Sequence, residues 1–256
     1  VKNMDASEES QSVESRPSHP PSTLASLYPW VTHEVLSTYS MLRPGNVAAL
    51  PLGNQDGFSV RVPDSTEFIC SMGQKGQPSF FFFCLDVVTR LGVRVPLSDF
   101  EMRILTHFHL APTQLHPNGW AFIKAFEDLC EELEISPTVP LFCYYFNVQT
   151  DRTGREPPSL KGWTSFRSRP DRKLFSLFAE SFKNFKKNFF KVEAEPGKQP
   201  FFLTSIEGPT VEWKFPLYWT NDHHKFPPAS YRFEEAALSL DEALAVIKTT
   251  HSRQVA

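Results

Sequence analysis

The chain has 256 residues, 41% of them hydrophobic, with 24 Phe and a net charge of −3. That suffices for one domain, or two small ones, with a sizeable core. The balance excludes a polycation, so affinity for nucleic acid has to come from a local patch, and no apolar run approaches the roughly 20 residues of a membrane span.

Residues 1–22 are rich in Ser, Glu and Pro and have little to bury, which predicts a disordered tail. No signal or transit peptide is visible in it. From Ser22 the spacing turns helical, with Leu24, Leu27, Val31, Val35, Leu36 and Tyr39 on one side and Pro44-Gly45-Asn46 as the stop. Phe58 to Val62 alternates like a short strand. Residues 78–92 read as a short buried helix carrying Phe80, Phe83, Cys84, Val87, Val88 and Leu91, with Gly92 as its stop.

Ser98 and Glu101 form a capping box for the next helix, whose apolar face is Phe100, Ile104, Leu105 and Phe108. Pro112 stops it. A third helix starts near Pro117-Asn118 and buries Trp120, Phe122, Ile123, Phe126, Leu129 and Cys130, leaving Lys124, Glu127, Asp128 and Glu131 to water. The aromatic run Leu141 to Val148 fits a strand or a buried helical turn equally well.

After a polar turn from Asp151 to Pro158 the pattern becomes β. Gly162–Arg167 and Lys173–Leu177 flank Ser168–Arg172 as one hairpin, and Phe189–Val192 with Gln199–Leu203 suggests a second around Pro196-Gly197. A loop with Phe215 to Trp219 follows. The last helix has Ser239 as cap, Asp241 and Glu242 in its first turn, and Leu244, Val246 and Ile247 as apolar residues. The expected fold is α+β, with a helical N-terminal half (24–135) packed on a small antiparallel sheet (141–203). The chain opens on Val1 and closes on Ala256 just after this helical pattern, so it reads as a piece of a longer protein.

Cys70, Cys84, Cys130 and Cys143 sit in apolar contexts without C-x-x-C spacing. They read as buried free thiols, which points to a nuclear or cytoplasmic compartment rather than a secreted one. His107, His109 and His116 form one histidine group and Asp222-His223-His224 another, but neither has a Cys at finger-like spacing, so no metal site is expected. Asp99 and Glu101 are explained by helix capping. No P-loop, nucleophile elbow or dinucleotide fingerprint occurs, and Asp64-Ser65-Thr66 lacks the glycine an aspartic protease would want. The expectation is no enzyme, no catalytic residue, no cofactor and no small-molecule ligand.

One constellation carries chemistry. Lys161 to Lys191 holds nine basic residues against Asp171 and Glu180, a net +7 that leaves the rest of the chain at −10. Trp163, Phe166, Phe175, Phe178, Phe182, Phe185, Phe189 and Phe190 are interleaved. Cations neutralise phosphates and exposed rings stack on unpaired bases. The candidate nucleic-acid contacts are Arg167, Arg169, Arg172, Lys173, Lys183, Lys186 and Lys187, on RNA or another single strand. The plainer alternative is a solvated β-surface whose aromatics form core.

Leu91 to Phe100 and Leu110 to Phe122, with Gly162–Phe166, Arg172–Phe175, Phe182–Lys186, Phe189–Val192 and Phe215–Trp219, resemble the gypsy-type transposon (plant transposase-like) domain over roughly residues 78–225. The proposed domain limits are therefore 23–225, followed by a C-terminal helical piece, 226–256. The resemblance implies a retroelement-derived, Gag-like or accessory interaction protein that works by binding nucleic acid or by self-association. It carries over no catalytic residue. The competing readings are a DNA-processing transposase, which would need at least three carboxylates converging on metal ions, and a relic domain with no selected activity.

Overall fold

A computed structural model describes residues 33–74, 76–150, 162–174, 182–207, 210–220 and 228–255. In chain order the helices are α1 (His33–Leu36), α2 (Pro44–Ala48), α3 (Leu85–Thr89), α4 (Asp99–His107), α5 (Pro117–Glu132), α6 (Val139–Tyr145) and α7 (Leu240–Val255). The strands are β1 (Phe58–Arg61), β2 (Phe80–Cys84), β3 (Phe146–Thr150), β4 (Thr164–Ser168), β5 (Phe189–Ala194), β6 (Leu203–Glu207) and β7 (Thr210–Trp213). They pair as three antiparallel sheets, β1-β5-β2, β3-β4 and β6-β7. The fold is thus mixed α+β. Strands β1 and β2 lie early in the chain, so its N-terminal half is not simply helical.

The largest difference from the sequence reading is at Phe80 to Cys84, which forms a strand and not the start of a helix. A short unbroken apolar run fits either state, and here every residue of β2 is buried on both faces. Side chains alternate between the faces. Phe81 meets Phe202 and Phe215 edge-on at 5.3 and 5.4 Å, and Phe83 meets Trp120 of α5 at 5.1 Å. On the other side Phe82 lies 5.1 Å from Phe189 of β5. Helix α3 then starts without a loop and buries Val87 and Val88, and Gly92 turns the chain at φ +74°.

Helix α4 begins as expected. Glu101 N donates to Ser98 Oγ at 3.1 Å, and Ser98 N donates to the Glu101 carboxylate at 2.8 Å. It ends at His107, and Pro112 opens a short 3-10 turn, Pro112–Gln114. Helix α5 has Pro117 in its first turn and His116 as N-cap, whose Nδ1 accepts from Asn118 N at 3.0 Å. The ambiguous run from Leu141 takes both of its readings in turn: α6 runs to Tyr145 and passes directly into β3 at Phe146. Phe142 packs at 5.4 Å from Phe126, 4.7 Å from Phe146 and 5.0 Å from Phe166, joining α5, α6, β3 and β4 in one aromatic core.

Strand β4 pairs with β3, Val148 opposite Phe166, and the other arm expected for its hairpin, Lys173–Leu177, leaves the described residues at 175. The second expected hairpin pairs differently. Strand β5 lies between β1 and β2, with Phe58 opposite Ala194 and Phe81 opposite Val192, while Leu203 begins the β6-β7 pair. The partners are distant in sequence, and periodicity within a run does not identify them. Pro44-Gly45-Asn46, read as a stop, starts α2 with Pro44 in its first turn. The strand at Phe58, the Ser98 and Pro117 starts and the Ser239-capped final helix match expectation. The four cysteines are free and buried, and burial pushes the Cys143 thiol up to about 12. The 1–22 tail, the first part of the helix expected from Ser22, the Asp151–Pro158 turn, Lys161, Phe175, Phe178, Glu180 and Asp222-His223-His224 lie outside the described residues.

Candidate nucleic-acid interface

The segment from Phe182 to Asn188 separates its apolar and basic residues. Asn184 adopts the left-handed conformation at φ +61°, which Asn tolerates better than most residues. A single 3-10 turn, Phe185–Lys187, follows. Phe185 is buried, its ring 4.6 Å from that of His116, while Lys183 and Lys187 are exposed. Backbone bonds fix the segment from both sides: Met41 N donates to Lys187 O at 2.7 Å, and Leu85 N to Asn188 O at 2.8 Å. Phe182 N donates to the Asn118 side chain at 3.2 Å.

Beside this turn lies a cleft of about 910 Å³. Its walls include Lys183, Lys186, Lys187, Trp163, His116 and Glu34. Lys186 Nζ is 2.6 Å from Glu34 Oε1 and 4.5 Å from the centre of the Trp163 ring. No ion-pair partner of Lys183 or Lys187 is found among the described residues. Burial, and next the charge of Lys186, holds the His116 imidazole down at about 4. It is therefore neutral at pH 7, and the positive charge of the cleft is that of the lysines. Trp163 is 8% exposed, and its buried Nε1 has no hydrogen-bond partner among the described residues.

The other sequence candidates fall into two groups. Arg169 is 8% exposed; it donates to Phe233 O at 3.1 Å and to Glu234 Oε1 at 2.8 Å. Arg172 donates to Glu234 Oε2 at 2.8 Å and lies 4.1 Å from the centre of the Tyr144 ring. The hydrogen bonds from Arg169 and then Arg172 hold the Glu234 carboxyl below its ordinary range. These arginines join the β4 turn to the segment before α7. Arg167 and Lys173 are exposed. Lys191, one of the nine basic residues, is buried against Glu67 at 2.6 Å, Glu193 at 3.3 Å and the Phe80 ring at 3.9 Å.

The interleaved aromatics belong mainly to the core. Trp163, Phe166, Phe185, Phe189 and Phe190 are buried, and among the described residues of this set only Phe182 is half-exposed, with Arg90 4.4 Å over its ring. Strand β5 is covered on both faces, so its rings serve packing and not stacking on bases. Among the described residues no three His, Cys, Asp or Glu side chains converge as metal ligands, and no helix is long and apolar enough to cross a membrane. Sequence reading did not find one acidic pair. Glu127, expected on a solvated helix face, is half-buried and accepts from Ser98 Oγ beside the buried Glu101. Burial raises both carboxyls.

The stretch from Phe83 at the end of β2, through α3 to α6, to the end of β3 carries His116 to the cleft and Asn118 to the Phe182 backbone. Residues 83–150 match the family model described as "Putative gypsy type transposon". The match lies inside the 78–225 resemblance seen in the sequence. No curated protein and no solved structure matches the chain. The matched segment contributes His116 to the cleft, and the lysines come from the chain beyond it.

Proposed function

We propose that this chain is a non-enzymatic interaction module of a gypsy-type retroelement, Gag-like or accessory in role, which binds the backbone of single-stranded nucleic acid. The observation that carries the reading is the grouping of Lys183, Lys186 and Lys187 around one cleft, with one carboxylate, Glu34, among its lining residues. Exposed cations on a backbone-fixed turn neutralise phosphates and release counterions. Arg167 and Lys173 extend the exposed basic set, whereas Arg169 and Arg172 are committed to Glu234 and support the fold. Recognition is by charge, since Trp163, Phe166, Phe185, Phe189 and Phe190 are packed inside. Four of the less exposed carboxylates are held by neighbours away from the cleft: Glu101 and Glu127 at the α4 cap, Glu67 and Glu193 with Lys191.

The test is electrophoretic mobility of labelled single-stranded RNA with the wild-type chain and with Lys183→Glu/Lys187→Glu. The reading expects a shifted band that the double variant abolishes while its circular dichroism stays unchanged. Equal shifts by both proteins would refute it.

A further inference from the structure

Helix α7 has two opposite apolar sides. One is docked on the body of the protein. Ala245 and Thr249 are buried there, Thr249 Oγ1 shares a 2.6 Å hydrogen bond with Tyr145 OH, and Glu242 accepts from the Thr138 hydroxyl. The other side carries Leu240, Leu244 and Ile247, which are 77%, 51% and 53% exposed. Spacings of four and three place these aliphatics on one face of a helix. They make up most of the exposed large apolar side chains of the described chain, the others being Met41 and Met72. A cluster of this kind on a regular element marks a contact surface.

The flank of the stripe indicates what covers it. Asp241 and Lys248 are exposed and seven residues apart, so they lie two turns apart along the same edge. Neither has an ion-pair partner among the described residues. We infer that the Leu240–Leu244–Ile247 face of α7 is a self-association surface, on which a second copy of this chain packs its own α7 antiparallel. A twofold contact must be its own complement. With Leu244 seated against Ile247 of the second copy, Asp241 faces Lys248 of that copy, and the pairing repeats across the axis. A parallel pair offers no such match, because the flanking positions opposite would be Ala243 and Thr250. Three aliphatics per copy make a small interface, and the dimer is accordingly weak and concentration-dependent. The inference stands independently of the nucleic-acid reading.

Sedimentation of the purified chain over a concentration series tests it. The wild type forms a dimer as its concentration approaches the order of 10⁻⁴ M. Leu244→Glu/Ile247→Glu remains monomeric with an unchanged thermal melt, since both side chains are exposed. Asp241→Lys sets like charges face to face and weakens the dimer about tenfold, and Asp241→Lys/Lys248→Asp restores it. A wild type that stays monomeric throughout overturns the proposal, as does a dimer that survives the Glu substitutions. Failure of the double swap to restore the dimer overturns the antiparallel arrangement.

Discussion

Lys186 lies over the ring of Trp163, its ammonium 4.5 Å from the ring centre, and reaches Glu34 at 2.6 Å. The contact joins the basic turn after residue 182 to the start of β4 and to α1. The ammonium faces an aromatic wall of the cleft while it pairs with the Glu34 carboxylate. Lys183 and Lys187 make no comparable contact among the described residues.

Arg169→Ala is expected to destabilise the chain. It removes a buried guanidinium that donates to Phe233 O and to the Glu234 carboxylate. Charged hydrogen bonds of this kind contribute about 2 kcal/mol. Denaturant unfolding checks it, and the affinity of the folded variant for single-stranded RNA should stay within about twofold of wild type, a small change on the free-energy scale.

Glu101 gives a pH signature. Its carboxyl is raised chiefly by burial, so the folded state holds a proton that the unfolded chain has released. The associated stability is fully present below the ordinary carboxylate range and is lost as pH rises through the raised value. Glu101→Gln keeps a side-chain acceptor at the same cap position. It should therefore raise the melting temperature at pH 8, leave it unchanged near pH 4, and flatten the slope between. A variant with the wild-type slope would remove Glu101 as its source.

His116 acts in the opposite direction. Its folded value is depressed to about 4, so its contribution is present above the ordinary histidine range and is lost as pH falls toward 4. His116→Asn keeps an N-cap acceptor for α5. The variant should lose less stability than wild type between neutral pH and about 4, as read by thermal melts in parallel buffers.

Much of the fold was legible where local chemistry decides it. The Ser98–Glu101 box, the His116-Pro117 start and the Ser239 cap all use side chains within a few residues of the backbone groups they satisfy. Pairing was not legible, because β5 joins strands that are more than one hundred residues away in the chain. The Phe80 run hid its strand because both of its faces are buried, which erases alternation. Charge marked the region of the candidate site but did not sort it. Arg169 and Lys191 look the same in sequence as Lys183 and Lys187, yet the first two meet carboxylates supplied by distant segments. Burial of Trp163 and Phe185 follows from contacts with Trp219 and His116 that no local pattern announces.

The most direct measurement is the salt dependence of binding to labelled single-stranded RNA, wild type against Lys183→Ala/Lys187→Ala. Each phosphate contact on a single strand adds about 0.7 to the slope of log affinity against log salt. If the cleft is the interface, wild-type affinity falls steeply with salt and the double variant lowers that slope by about 1.4. A wild-type affinity that salt does not change, or a variant with an undiminished slope, would contradict the account.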